Sequence, residues 1–243
     1  MSKIAENIAQ VQVRIAAACA TSGRDPSGVT LIAVSKTHPA EAVLEAAAAG
    51  VQHFGENRVE ESSMKIPAVA AQGQSALTWH MIGHLQSRKA KDAAPLFGVI
   101  HSVDTPKLAG RLDAALQALE RPPLDVLLEI NVSGEASKAG IAAHGWEQDR
   151  AILMQVVADV RTITGLAQMR VCGLMTMAPI VTAMEETRPV FASLRRLRDA
   201  LEQATGHPLP ALSMGMTDDY PVAIEEGATF VRVGRAIFGE RQP

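Results

Sequence analysis

The chain has 243 residues, 47% apolar and 20% charged, enough to bury a sizeable core as one large α/β domain or two small ones. A formal net charge of −3 and an aromatic content of 3% leave no electrostatic or stacking case for nucleic acid or an anionic membrane surface. Two cysteines, Cys19 and Cys172, lie far apart in apolar settings and point to a reducing compartment without a disulfide framework.

The N-terminal stretch MSKIAENIAQVQVRIAAACA carries Lys3, Glu6 and Arg14 on a helical period, so it lacks the apolar core of a signal peptide. No apolar run approaches the ~18 residues of a membrane span. No membrane association and a cytoplasmic location are the expectation. The period predicts a helix over Ile4–Ala20, then a buried strand over Val29–Ser35 and a helix over Ala40–Ala49. Further strands are predicted at Val51–Gly55, Thr78–Gly83, Gly98–Val103, Asp125–Val132, Arg170–Thr176, Ala211–Gly215 and Thr229–Gly234. Helical patterns fall at Pro106–Leu119, Trp146–Thr164, Met184–Ala204 and Asp219–Glu226. Asp104-Thr105-Pro106 offers a capping residue ahead of a first-turn proline. Gly50 and Gly227 stand where a helix end needs a left-handed residue.

Eight strands separated by helical crossovers favour a parallel sheet, either open and doubly wound or closed. The count of eight and a length near the ~250 residues typical of barrels favour a (β/α)8 TIM barrel. With no linker or composition shift, one domain is expected over 1–243, with the extra N-terminal helix on the barrel's outer ring.

In such a barrel, function sits at the C-terminal ends of the strands. Reading those ends in order gives Lys36, Glu56-Asn57, His84, Asp104, Asn131, Thr176, Ser213 to Thr217, and Gly234-Arg235. Lys36 has two readings: a solvated or ion-paired lysine, or a Schiff-base lysine whose apolar neighbours make the amine nucleophilic towards an aldehyde. The loops after the last two strands are where barrels frequently bind phosphate. There Ser213 and Thr217 bring hydroxyls, Gly215 and Gly234 allow close backbone approach, and Arg235 brings positive charge. Arg232 sits inside the last strand, where strand alternation puts it on one face with Phe230 and Gly234. An arginine there either faces the contents of the barrel or forms an internal ion pair, for instance with Glu129. A Schiff-base lysine, a phosphate cradle and an interior arginine together describe a holder for pyridoxal 5'-phosphate. A sugar-phosphate aldolase also fits the lysine and the cradle but explains Arg232 less well.

The motifs extend this reading. The segments AVSKTHP, FGENRVEE, WHMIGHLQSRK, HSVD, EINVSGEASKAGI, GLMTMAP, LSMGMTDD and VRVGRAIFGER occur in one order along nearly the whole chain. In them the sequence resembles the pyridoxal-phosphate homeostasis protein family, single-domain relatives of the alanine racemase N-terminal barrel. The resemblance implies that Lys36 is the Schiff-base lysine, covalently linked to the cofactor, with Asn57 nearby. It further implies that Ser213 and the Gly234-Arg235 turn bind the phosphate and that Arg232 faces the pyridine nitrogen. The family often shows Tyr at Arg58, Asn at Arg88 and a small hydroxyl residue at Arg235.

Two functional classes compete, a non-catalytic carrier serving vitamin B6 homeostasis and an amino-acid racemase. Racemases of this barrel type place a tyrosine from an added C-terminal domain opposite the lysine. With the chain ending at Pro243, no such domain is expected, and the single tyrosine, Tyr220, falls in a helical first turn. The carrier is therefore the expectation, a monomer making transient contacts with apo-enzymes that use the cofactor. His80 and His84, four apart, have a helical metal-pair spacing but fall on a strand and its loop, so no metal site is expected. Lys138, in a flexible loop, is a candidate for assisting cofactor transfer.

Overall fold

The computed structural model describes residues 2–240. Eight parallel strands close on themselves: β1 (Thr30–Val34), β2 (His53–Glu56), β3 (Thr78–Met81), β4 (Val99–Val103), β5 (Leu124–Asn131), β7 (Met169–Met175), β8 (Ala211–Ser213) and β9 (Phe230–Val233). β1 pairs with both β2 and β9, and the β4–β5 pairing, Val99 opposite Asp125, completes the ring. Outside it, β6 (Ile141–Ala142) adds two residues alongside Ile130 and Asn131. The (β/α)8 barrel expected from the strand count is the observed fold.

The strands form where apolar, β-branched runs are flanked by turn residues. Their observed ends differ from the expected ones by a residue or two. β6 and the helix Val59–Ala70 are additional to the expected elements. Pro67 lies inside that helix and its mean apolar periodicity is weak, because polar Ser62 and Lys65 occupy its buried face beside Val59 and Val69. The segment expected as a helix from Trp146 begins at Arg150, where Asp149 accepts from the Ala151 N–H and caps it. The stretch from Met184 divides into a 3-10 turn, Met184–Thr187, and a helix, Arg188–Thr205. Thr105 caps the helix Pro106–Ala118 as its sequence suggests. Gly50 and Gly227 adopt φ of +96° and +102° at their helix ends.

The N-terminal helix Lys3–Thr21 buries Ile8, Val11, Ile15, Ala18 and Cys19. This apolar stripe covers the helices Tyr220–Glu225 and Arg235–Phe238, and Asn7 donates to the Ile237 carbonyl at 2.8 Å. The helix thereby braces the two loops that follow β8 and β9. Within the barrel, Val99, Leu127, Met175 and Ala211 form a separate apolar cluster with Phe230 against it. Gly173 is obligatory there, since a Cβ would sit 1.9 Å from the Ala211 carbonyl oxygen. No helix among the described residues is long and apolar enough to cross a membrane.

Candidate functional site

Lys36 lies in the turn leaving β1, half-buried, on a cavity of about 310 Å³ shared with Val34, His38, Gly234, Arg235 and Glu240. The peptide groups on either side of it are gripped by side chains. Buried Lys65 donates to the Ser35 carbonyl at 2.7 Å, to Glu56 Oε1 at 2.8 Å and to Glu61 Oε1 at 2.6 Å. Those three bonds use all three donors of the ammonium group. The Thr37 N–H donates to the same Glu61 oxygen at 2.6 Å. Thr37 has φ +66°, a left-handed conformation costing a non-glycine residue roughly 1–2 kcal/mol, so this bond offsets local strain. The Ser35 hydroxyl donates to Glu56 Oε1 at 2.7 Å. Burial raises the Glu56 carboxyl above its ordinary range, and Lys65 and Ser35 pull it back down.

Gly234 ends β9 directly against Val34, where a Cβ would come within 3.2 Å of the Val34 carbonyl oxygen. Glycine thus lets the turn after β9 lie beside the turn that carries Lys36. Arg235 pairs with Asp218 at 2.6 Å and so ties the β9 turn to the loop holding Thr217. Asp219 folds that loop by accepting from the Met216 N–H at 2.6 Å. Gly215 has φ +90° and rests on Tyr220 and Ala223, so its role in the structure is to let the loop turn over the following helix.

Arg232 faces inward and is buried, as strand alternation predicts. Its hydrogen bonds run to Ser213 Oγ at 2.6 Å and to the Thr176 carbonyl at 2.9 Å. Burial lowers its guanidinium to about 10, opposed by Asp219 and Glu129, so it stays charged at neutral pH. Glu129 acts on it across space, and its own Oε2 is buried without a partner. Ser213 is fully buried, its hydroxyl engaged by Arg232 and by His101 Nδ1 at 2.8 Å. The hydroxyl of Ser213, expected in the phosphate cradle, is thus turned towards interior side chains. Register explains it, because Ser213 stands opposite Met175 and Phe230, on the inward face below the mouth.

Asn57 follows β2 and lines a neighbouring groove with His84 and Leu85. Its Oδ1 is buried without a partner, and Gly83 packs against its backbone. His80 and His84 point apart, His80 inward to His101 at 2.9 Å and His84 outward to Asp104 at 3.4 Å. Lys138 pairs with Glu135 at 2.6 Å and donates to the Met177 carbonyl. Sequence reasoning brought out Lys36, Arg232 and the Gly234-Arg235 turn, and placed Glu56 at a strand end, but missed Glu61 and Lys65. The available signal was the i,i+4 spacing of Glu61 and Lys65, a helical ion-pair spacing.

The family model for the alanine racemase N-terminal domain matches residues 2–242. The chain is 45% identical over 241 residues to the pyridoxal phosphate homeostasis protein of Pseudomonas aeruginosa, covering 99% of this chain and 97% of that one. Its identity to the protein of the same name from Escherichia coli K12 is 41% over 246 residues, covering 99% and 98%. PipY of Synechococcus elongatus, solved with PLP bound, is 40% identical with a TM-score of 0.79, covering 97% of this chain and 100% of that one. Alanine racemase from Corynebacterium glutamicum, 18% identical at a TM-score of 0.65, shares the fold over 98% of this chain and 61% of its own.

Two outcomes follow from these contacts. Lys65→Met leaves Glu56 buried without its cation and frees the Ser35 carbonyl side of the Lys36 turn; urea denaturation is expected to show a loss of about 3–5 kcal/mol. Glu129 tests the pH dependence. Burial, with Asp104 adding to it, raises its carboxyl from 4.5 to about 7. Because the folded state holds this proton more tightly, the stabilisation is full below pH 4.5 and is lost as pH rises through 7. Glu129→Gln is therefore expected to flatten the stability profile in that window, with a gain on the order of 3 kcal/mol above it.

Proposed function

The chain belongs to the pyridoxal phosphate homeostasis protein family, and we propose that it is a monomeric, cytoplasmic holder of pyridoxal 5'-phosphate that tethers the cofactor covalently through Lys36 and hands it to apo-enzymes. The observation that carries this reading is the convergence of Lys36 and the Gly234-Arg235 turn on one cavity, with the charged Arg232 buried at the inner ends of the same strands. When bound, the cofactor supplies an aldehyde, a phosphate dianion and an electron-withdrawing pyridine ring.

The residues present fit these three groups. Lys36 Nζ, on a turn held by Lys65 and Glu61, meets the aldehyde. The Thr217 hydroxyl and the backbone N–H groups at the start of the helix Arg235–Phe238, which lack carbonyl partners within that helix, hold the phosphate. Arg235 places positive charge there, with Asp218 fixing its side chain. Ser213, which accepts from Arg232, meets the bound ligand from the inner side of the mouth. Arg232 meets the ring nitrogen as a fixed cation and disfavours its protonation, which weakens the ring as an electron sink. Asn57, with an unpartnered buried oxygen, is an amide available to a polar substituent of the ring.

The preference for a holder over a racemase rests on Tyr220. It is fully buried, with Arg14 over its ring at 5.1 Å, on the side facing the N-terminal helix. It is the chain's only tyrosine. A phenol buried against that helix speaks against a role as the second acid–base group that racemization requires.

Purified protein is expected to absorb visible light, and borohydride followed by peptide mass mapping is expected to leave the adduct on Lys36. Lys36→Ala is expected to abolish the adduct, and amino-acid turnover assays on the unsubstituted protein are expected to stay at background. Protein that remains colourless and gains no adduct with added pyridoxal phosphate contradicts the tether. Turnover that Lys36→Ala abolishes contradicts the holder.

A further inference from the structure

The barrel interior contains three histidines that neither the tether nor the phosphate cradle uses. His53 opens β2, and His80 and His101 lie within β3 and β4. His53 Nδ1 is 3.0 Å from His80 Nε2, and His80 Nδ1 is 2.9 Å from His101 Nε2. His101 Nδ1 is 2.8 Å from Ser213 Oγ, which accepts from Arg232 Nη1 at 2.6 Å. The Phe230 ring packs tilted against His80 and edge-on to His101, at 5.8 and 5.5 Å between centroids, and walls the series with apolar surface. At the other end, half-buried His53 lines a groove of about 360 Å³ with Gln12, Ile15, Thr30 and Gln52, at the N-terminal mouth of the barrel.

The rings are neutral at ordinary pH. Burial lowers His80 to about 3 and pushes His101 well below its usual value, with Arg232 adding to the effect on His101. His53 is lowered by burial as well. The charged groups bearing on the series are Arg232 itself and, through Arg232, Asp219 and Glu129. A neutral imidazole has one donor and one acceptor nitrogen, so the bonds must run head to tail in one of two directions.

We propose that His53, His80, His101 and Ser213 form a proton relay between the groove at the N-terminal mouth and the Arg232 end of the cofactor site, the cofactor's presence there resting on the function proposed above. In one direction Ser213 donates to His101, His101 to His80 and His80 to His53, whose Nε2–H faces the groove. In the other direction every bond is reversed, and the Ser213 proton is available to the site. Passing from the first to the second, Ser213 Oγ takes a proton from a donor in the site, and the three bridging protons each move one step. One proton then leaves His53 Nε2 to water in the groove. The reverse passage delivers one proton inward. No ring carries charge at rest, and the site gains a route to solvent that does not cross the mouth occupied by its ligand.

The test is NMR on protein labelled with 15N at histidine, with and without added pyridoxal phosphate. His80 and His101 are expected to show singly protonated rings that do not titrate between about pH 5 and 9. Exchange of the His101 ring proton with D2O is expected to slow about tenfold or more in His53→Gln, which keeps a hydrogen bond to His80 but cannot pass a proton on. His53→Phe provides the same comparison with the bond removed, and unchanged melting temperatures identify variants that keep the fold. Unchanged exchange in a folded variant overturns the relay, as does a doubly protonated His80 or His101 in the unsubstituted protein. Neither result touches the tether, which is read separately by trapping at Lys36.

Discussion

The turn that follows β1 is held in place by one buried ammonium group. Lys65 reaches across from the helix Val59–Ala70 and spends its three donors on the Ser35 carbonyl, Glu56 and Glu61. Removing an ammonium and a carboxylate from water costs several kcal/mol per ion, and only close pairing with full hydrogen bonding offsets it. Here the ammonium has all its donors engaged and Glu56 accepts twice on Oε1, while Glu56 Oε2 is buried without a partner, and the geometry of the cluster is passed to the backbone. Glu61 also holds the N–H of Thr37 in its left-handed conformation. Lys36 is thus the one residue between two fixed peptide groups, and its side chain projects into the cavity from a rigid base. The strand supplies the position, and the ion cluster supplies the direction.

The barrel separates two electrostatic environments. At the mouth, Arg235 and Asp218 are exposed, so their attraction is screened and their pairing mainly ties two loops together. Below, the polar groups are buried, and most of them bond to one another. Arg232 bonds Ser213 and a strand-end carbonyl, and the histidines bond in series. Arg232 remains charged because Asp219 and Glu129 oppose the effect of its burial. The fixed cation Arg232 thus stands at the inner end, and Lys36, the proposed tether, at the rim.

Strand alternation and strand-end position carried most of the readable information. The run Val29–Val34 is short, apolar and bounded by Gly28 and Ser35, so β1 and the place of Lys36 after it were legible without partners. Parity put Arg232 on one face with Phe230, and the structure shows that face to be the inward one. The helix Val59–Ala70 was not legible, because its buried face is built from Ser62 and Lys65 as well as Val59 and Val69. Polar burial of that kind has no periodic signature until its partners on β1 and β2 are known. Ser213 and Thr217 look equivalent in sequence as hydroxyls near one strand end, but register sends Ser213 inward to Arg232 and leaves Thr217 on the loop above. The histidine series has the same origin. His53, His80 and His101 become neighbours only when the β2–β3 and β3–β4 registers bring them together.

A crystal structure of the protein with pyridoxal 5'-phosphate bound tests the central claim most directly. The account predicts continuous density from Lys36 Nζ to the ligand, the phosphate against Thr217 and the Gly234-Arg235 turn, and the Arg232 guanidinium within about 3 Å of the ring nitrogen. A ligand seated in the outer groove with its phosphate among Arg58, Arg88 and Lys89, or one lying in the cavity with no bond to Lys36, would contradict it.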